Sequence, residues 1–205
     1  MLLGPSCSLC GAEGRVLCPP CAGELRPAPA LASPAGVDVC LALLSYAGAG
    51  RELVARLKYR NRRAVLPGLA AAMASLVAEP AAVDVVTWVP TTPARRRQRG
   101  FDQSELIARV VARRLRRPCA GLLVRGPGPP QTGRGRLERR CGPALRACRP
   151  VPPRVLLVDD VVTTGSTATA AASALRRAGA SSVTLLAAAR TPRRSSAPTA
   201  GRRAS

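Results

Sequence analysis

The chain has 205 residues and carries 32 basic against 11 acidic side chains, a net charge of +21, with no histidine. That length favours one domain with at most a small appendage, and the missing histidine excludes histidine-based triads, general bases and metal ligands. A hydrophobic content of 47% is enough for a buried core, whereas 2% aromatics argues against modules that stack bases on Phe, Tyr or Trp.

At the amino end, Cys7-x-x-Cys10 and Cys18-x-x-Cys21 form two knuckle-type pairs seven residues apart. Each pair can place two thiolates on one metal, so the four together fit a closed, structural S₄ zinc site; a redox pair or incidental thiols is the other reading. Cys40, Cys119, Cys141 and Cys148 lack ligand spacing and read as ordinary thiols. No stretch reaches the roughly 18–20 apolar residues of a membrane span. Met1-Leu2-Leu3 has no basic flank and runs into Gly4-Pro5, so a cytoplasmic location is expected. The expected organisation is a zinc knuckle over residues 1–25, a Pro/Ala linker over 26–38, an α/β domain over 39–189 and a disordered basic tail over 190–205.

Along that domain, Val39 to Tyr46 reads as a strand, and residues 49–60 as a helix with Leu53, Val54 and Leu57 on one face. A further helix is expected over Pro67 to Ala78. Val83 to Val89 is continuous, apolar and β-branched, as a buried parallel strand requires. Asp102 and Glu105 have the spacing of an N-cap and its N3 partner, which predicts a helix to about Arg117. Residues 118–150 are rich in Gly, Pro and Arg and read as a long mobile loop. Arg154 to Val158 is a second buried strand, Gly165 to Ala178 a helix stopped by Gly179, and Ser182 to Ala188 a third strand. Strands alternating with helices predict an α/β fold with a mainly parallel sheet.

The most informative stretch is Val155 to Thr167, VLLVDDVVTTGST. An apolar strand is expected to deliver Asp159 and Asp160 at its carboxyl end, where ligands bind in open α/β sheets. A short turn from Val161 to Gly165 then enters a helix at Ser166 and Thr167. Turn amides, hydroxyls and a helix N-terminus make an anion site suited to phosphate. Two carboxylates beside it suit a ligand that also presents a diol or a hard cation such as Mg²⁺. Neither G-x-x-x-x-G-K-[ST] nor G-x-G-x-x-G occurs, which excludes a P-loop and the dinucleotide fingerprint. Only 45 residues follow Asp160, too few for a receiver domain built on paired aspartates.

This stretch closely resembles the phosphoribosyl-pyrophosphate (PRPP) motif of type I phosphoribosyltransferases. With the cysteine knuckle, YAGAGRELVARLKYRNRR, VPTTPARRRQRGFDQSELIAR and QTGRGRLERR, the chain resembles their ComF branch, related to competence protein F, over about 180 residues. The resemblance implies a parallel sheet flanked by helices and binding of PRPP. Asp159 and Asp160 would hold the ribose hydroxyls, directly or through Mg²⁺. Val158, Val161 and Val162 would belong to the PRPP-binding motif, with Thr163, Thr164, Gly165, Ser166 and Thr167 on the 5′-phosphate. Pro90, Thr91 and Thr92, with Arg95 and Arg99, would face pyrophosphate. Gln131, Thr132, Gly133, Arg136 and Arg139 would belong to a loop that closes over the ligand, Arg136 and Arg139 joining Asp159 and Asp160 in catalysis. Asp102 stands where the family commonly has Asn, and Gly142 where Asn often follows QTG.

Lys58 is the only lysine and Ile107 the only isoleucine, a bias that reads as GC-rich coding, so part of the arginine content is compositional. Its distribution is still uneven: residues 1–90 carry 8 basic and 6 acidic side chains, residues 91–205 carry 24 and 5. Two functions remain open at this stage. One is Mg²⁺-dependent transfer of phosphoribosyl from PRPP to an acceptor the sequence does not identify. The other is a PRPP-binding accessory protein in DNA uptake, contacting single-stranded DNA or a helicase partner.

Overall fold

A computed structural model describes residues 5–57, 64–126 and 144–192. In chain order the elements are α1 (Pro19–Gly23), β1 (Val39–Ser45), α2 (Gly48–Arg56), α3 (Leu66–Ala74), β2 (Val85–Trp88), α4 (Pro93–Arg99), α5 (Gln103–Leu115), β3 (Leu123–Arg125), β4 (Leu145–Ala147), β5 (Arg154–Val162), α6 (Ser166–Arg177) and β6 (Ser182–Arg190). Four strands make one sheet in the order β1-β6-β5-β2, every neighbouring pair parallel. β3 and β4 form a separate antiparallel pair.

The sheet is covered on both faces, which is why its strands are apolar without alternation. Leu156 and Val158 of β5 pack with α2, α3 and α5, whereas Val155 and Leu157 pack with α6, Leu122 and Leu145. Leu156, Leu157, Leu185 and Leu186 are fully buried. Burying each such side chain contributes about 1.5–3 kcal/mol. Two carboxylates set the strand register. Asp84, just before β2, accepts the first amide of β5 from Arg154 at 2.9 Å, and Asp38, just before β1, accepts the Val183 amide of β6 at 2.7 Å.

Both sheet edges are closed by irregular chain, the usual protection for unpaired strand groups. Ala28 N donates to Leu43 O and Ser45 N to Arg26 O along the β1 edge. Val86 N donates to Pro118 O and Ala120 N to Val86 O along the β2 edge. Residues 26–38, expected as a linker, therefore lie against the domain. The knuckle is docked as well: Cys7 and Leu9 belong to the same buried cluster as α2 and α3, and Arg56 donates to Ser8 O and Leu9 O.

Three readings change. The loop expected over 118–150 contains β3 and β4, two three-residue strands too short for a periodicity to show. The arginine run, where no helix is expected, forms α4; Thr92 caps it, its Oγ1 accepting from Arg95 N, with Pro93 at the first position. Arg190, expected in the tail, is the last residue of β6 and is buried. The tail residues beyond Pro192, 193–205, lie outside the described set.

Candidate functional site

The two cysteine pairs come together. Cys7, Cys10, Cys18 and Cys21 place their sulfurs all within 4.8 Å of one another, with Cys10 and Cys18 at 3.6 Å. Four sulfurs around Zn²⁺ at about 2.3 Å stand about 3.8 Å apart, so the donor set fits a tetrahedral S₄ site. Gly11 N donates to Cys7 O and Ala22 N to Cys18 O, the tight turns that bring each pair to one point. Burial pushes the Cys7 thiol up, but amides of Cys10, Cys18 and Leu9 outweigh it and bring it down to about 5. Cys21, hydrogen-bonded to Cys18, is pushed up to about 12. Thiols competing for protons in this way are what a single divalent cation relieves.

The second site lies at the carboxyl ends of β2 and β5, where they meet the amino end of α5. An open cavity of about 290 Å³ is lined there by Pro90, Thr91, Arg95, Arg99, Asp159, Asp160, Val161, Thr163 and Thr167, all expected from sequence. Asp102, Gln103, Ser104, Arg125 and Tyr46 are also in the wall.

β5 carries Asp159 and Asp160 and runs on to Val162, so Val161 and Val162, expected in the turn, are strand. The β5–β6 pairing runs from Arg154 to Asp159 and resumes at Val161. At the gap the Asp160 amide donates to Asp159 Oδ1 at 2.8 Å. The Ser104 hydroxyl of α5 donates to the same oxygen at 3.3 Å. Asp159 is only 8% exposed. Its carboxyl is held well above the usual range by burial and then by the charge of Asp160 beside it. A buried acid pressed against a second one calls for a hydroxyl pair or a cation on its open side.

Across the cavity Asp102 caps α5. Its Oδ1 accepts from Ser104 N at 3.1 Å and Glu105 N at 3.4 Å, and its Oδ2 accepts from Thr91 N at 2.7 Å. Burial pushes this carboxyl up, opposed by the three amides. Glu105 does not reach back as in a capping box; its carboxylate takes Arg109, with Arg96 at 3.9 Å. Arg125, at the end of β3, donates Nε to Pro90 O at 2.6 Å and is half-buried. Arg125, Arg95 and Arg99 give the cavity a cationic wall facing the two aspartates.

The turn after β5 spans Thr163 to Gly165. Gly165 has φ +80°, a left-handed conformation that glycine adopts without penalty, and a Cβ there would stand 3.0 Å from Pro34 Cγ. Thr164 and Ser166 pair their hydroxyls at 3.0 Å. Gly165, the N-cap of α6, has no side chain to cap it and Thr164 Oγ1 takes only the Ser166 amide, at 3.4 Å, so the rest of the first turn is open to an anion.

Some expected residues stand apart from the cavity wall. Val158 is core, Val162 packs on the α6 side, and Thr92 is spent on capping α4. Thr164, Gly165 and Ser166 stand back from it at the start of α6, Gly165 and Ser166 lining the adjoining cleft. Gln131, Thr132, Gly133, Arg136 and Arg139 lie outside the described residues. Gln103 and Ser104 follow the cap that the sequence marks, so their place was within reach. Arg125 had no local signal.

No family model matches this chain, and no curated protein does. Among solved structures, the allosteric regulatory enzyme of purine biosynthesis is 25% identical over 62% of this chain, with a TM-score of 0.43. This chain spans about a quarter of that protein's length, 26%. TT1426 from Thermus thermophilus is 19% identical over 64% of this chain and 86% of its own, with a TM-score of 0.38. Among the described residues no helix is long and apolar enough to cross a membrane.

Proposed function

We propose that the chain binds PRPP at the cavity between β2, β5 and α5, and that it is a phosphoribosyltransferase-like protein of the ComF type. One observation carries this: two adjacent carboxylates stand beside a helix N-terminus whose N-cap is a glycine, with three arginines on the facing wall. A ligand bearing a phosphate, a diol and a second phosphate group satisfies all three at once. The 5′-phosphate takes the amides and hydroxyls of Thr163 to Thr167, the diol takes Asp159 and Asp160, and pyrophosphate meets the Thr91 loop with Arg95, Arg99 and Arg125.

In transfer, the C1–O bond to pyrophosphate breaks as an acceptor nucleophile adds to C1. Arginines placed where charge develops on the leaving group stabilise it without reorganising. Mg²⁺ bound to PRPP would neutralise further phosphate charge, and the oxygen donors of Asp159 and Asp160 suit it. Ser104 and the Asp160 amide orient Asp159, and Asp102 holds the Thr91 loop against α5. Zn²⁺ at the cysteines would be structural, since all four positions are filled by the chain. A cytoplasmic location belongs to the same proposal.

The test is a calorimetric titration of PRPP with and without Mg²⁺. Saturable binding is expected, and the variant carrying Asp159→Ala with Asp160→Ala should lose it; unchanged affinity there rules out this site. Pyrophosphate release against a panel of bases and amines tests transfer itself. A second reading rests on exposed Arg95, Arg96, Arg97, Arg113 and Arg114 of α4 and α5. On that reading the protein is a PRPP-binding accessory that contacts single-stranded DNA or a helicase. No release with any acceptor, together with DNA binding that weakens steeply with salt, would favour it.

A further inference from the structure

A second cavity, also about 290 Å³, opens at the Thr163–Gly165 turn on the side of residues 31–34. Its walls are residues 31–34, the turn, and Arg190 to Pro192. Thr163 borders this cavity and the one in front.

The rear cavity is built around a buried cation. Arg190 is 7% exposed. Its Nη1 donates to Leu31 O at 2.9 Å and its Nη2 to Ala32 O, both neutral acceptors. No carboxylate among the described residues forms an ion pair with it. Buried charges are ordinarily paired, and a guanidinium has five N–H donors, more than two carbonyls use. Beside it, Thr191 Oγ1 is buried and has no hydrogen-bond partner among the described residues. Thr163 and Thr164 line the same space.

We propose that this rear cavity binds a small oxyanion, a phosphate or carboxylate group on a compact body, with Arg190 as its counter-charge and Thr191 as a further donor. The ligand would rest on residues 31–34 and on the turn. Pro34 already abuts Gly165, so filling the cavity would brace the turn whose front carries the 5′-phosphate in the reading above. That last consequence rests on the PRPP reading, and the coupling would be reciprocal. The rear site itself does not depend on it.

Inorganic phosphate titrated into the full chain tests both sites at once. Two variants each place a carboxylate in one cavity: Thr167→Glu in front and Ser33→Glu behind. Two saturable sites are expected in the parent, with Thr167→Glu keeping the rear one and Ser33→Glu the front one. Thr191→Val, nearly isosteric, should weaken the rear site about tenfold, the loss of one hydrogen bond to an ion. A single phosphate site abolished by Thr167→Glu and indifferent to Ser33→Glu and Thr191→Val, with no acetate binding that Ser33→Glu removes, overturns the proposal. A single site abolished only by Ser33→Glu upholds it and removes the front cradle instead. A parallel titration with acetate upholds the site if either anion binds there, and the tighter one names the ligand class; binding of neither overturns it.

Discussion

Asp102 Oδ2 accepts the Thr91 amide at 2.7 Å while its other oxygen caps α5, so one carboxylate joins the β2 loop to the helix that orients Asp159. Asp102→Ala should cost about 1–2 kcal/mol through the lost cap, with a further loss of PRPP affinity as the Thr91 loop is released. Asp102→Asn keeps an oxygen for the cap. Urea unfolding and calorimetry on the two variants separate the effects: Asn should restore most of the stability.

Gly165 is constrained twice, by its φ of +80° and by Pro34. Gly165→Ala should destabilise by about 1–2 kcal/mol through left-handed strain and contact. Adding Pro34→Ala should recover the contact part and leave the strain. A double-mutant cycle in thermal unfolding measures the split, and strict additivity would show that the Pro34 contact is not felt.

The purified chain is expected to hold about one zinc per chain, lost in Cys18→Ser. Because Arg56 ties Ser8 and Leu9 to α2, metal loss should raise hydrogen exchange over residues 50–57 while leaving β5 and β6 protected. Elemental analysis with exchange mass spectrometry reads both. A folded, metal-free chain with α2 unchanged would refute the S₄ site.

Asp84 pairs with Arg154, whose guanidinium and amide hold its carboxyl below the usual range. A depressed folded pKa contributes stability above the unfolded value of about 3.9 and loses it as pH falls through the lower folded value. Acid unfolding of Asp84→Asn should therefore lack the part of the transition below about pH 4 that the parent shows. At neutral pH the variant should be modestly less stable, since the pair is partly exposed.

Much of the fold was legible in the chain because its signals are local. Val83 to Val89 and Arg154 to Val158 are apolar runs that only a sheet covered on both sides can bury. Gly179, with φ +118°, stops α6 where expected. β3 and β4 escaped because three residues carry no period and their pairing spans Leu123 to Ala147, a contact set by distance in the sequence. The candidate site divides in the same way. Asp159, Asp160 and the Thr163–Thr167 turn are contiguous and legible, whereas Tyr46 reaches the cavity through the sheet order and Arg125 through the separate β3–β4 pair.

By itself the sequence determined an α/β chain with covered parallel strands, a four-cysteine knuckle, and an acidic pair beside a phosphate-type turn, since each is written in neighbouring residues. Only the tertiary structure decided that Ser104 steadies Asp159, that Asp102 holds the Thr91 loop, and that Arg190 lies buried among neutral carbonyls rather than in a tail. These relations join residues up to 159 positions apart. Such contacts arise from how strands are ordered in the sheet, an outcome of burying both faces at once that no local pattern encodes.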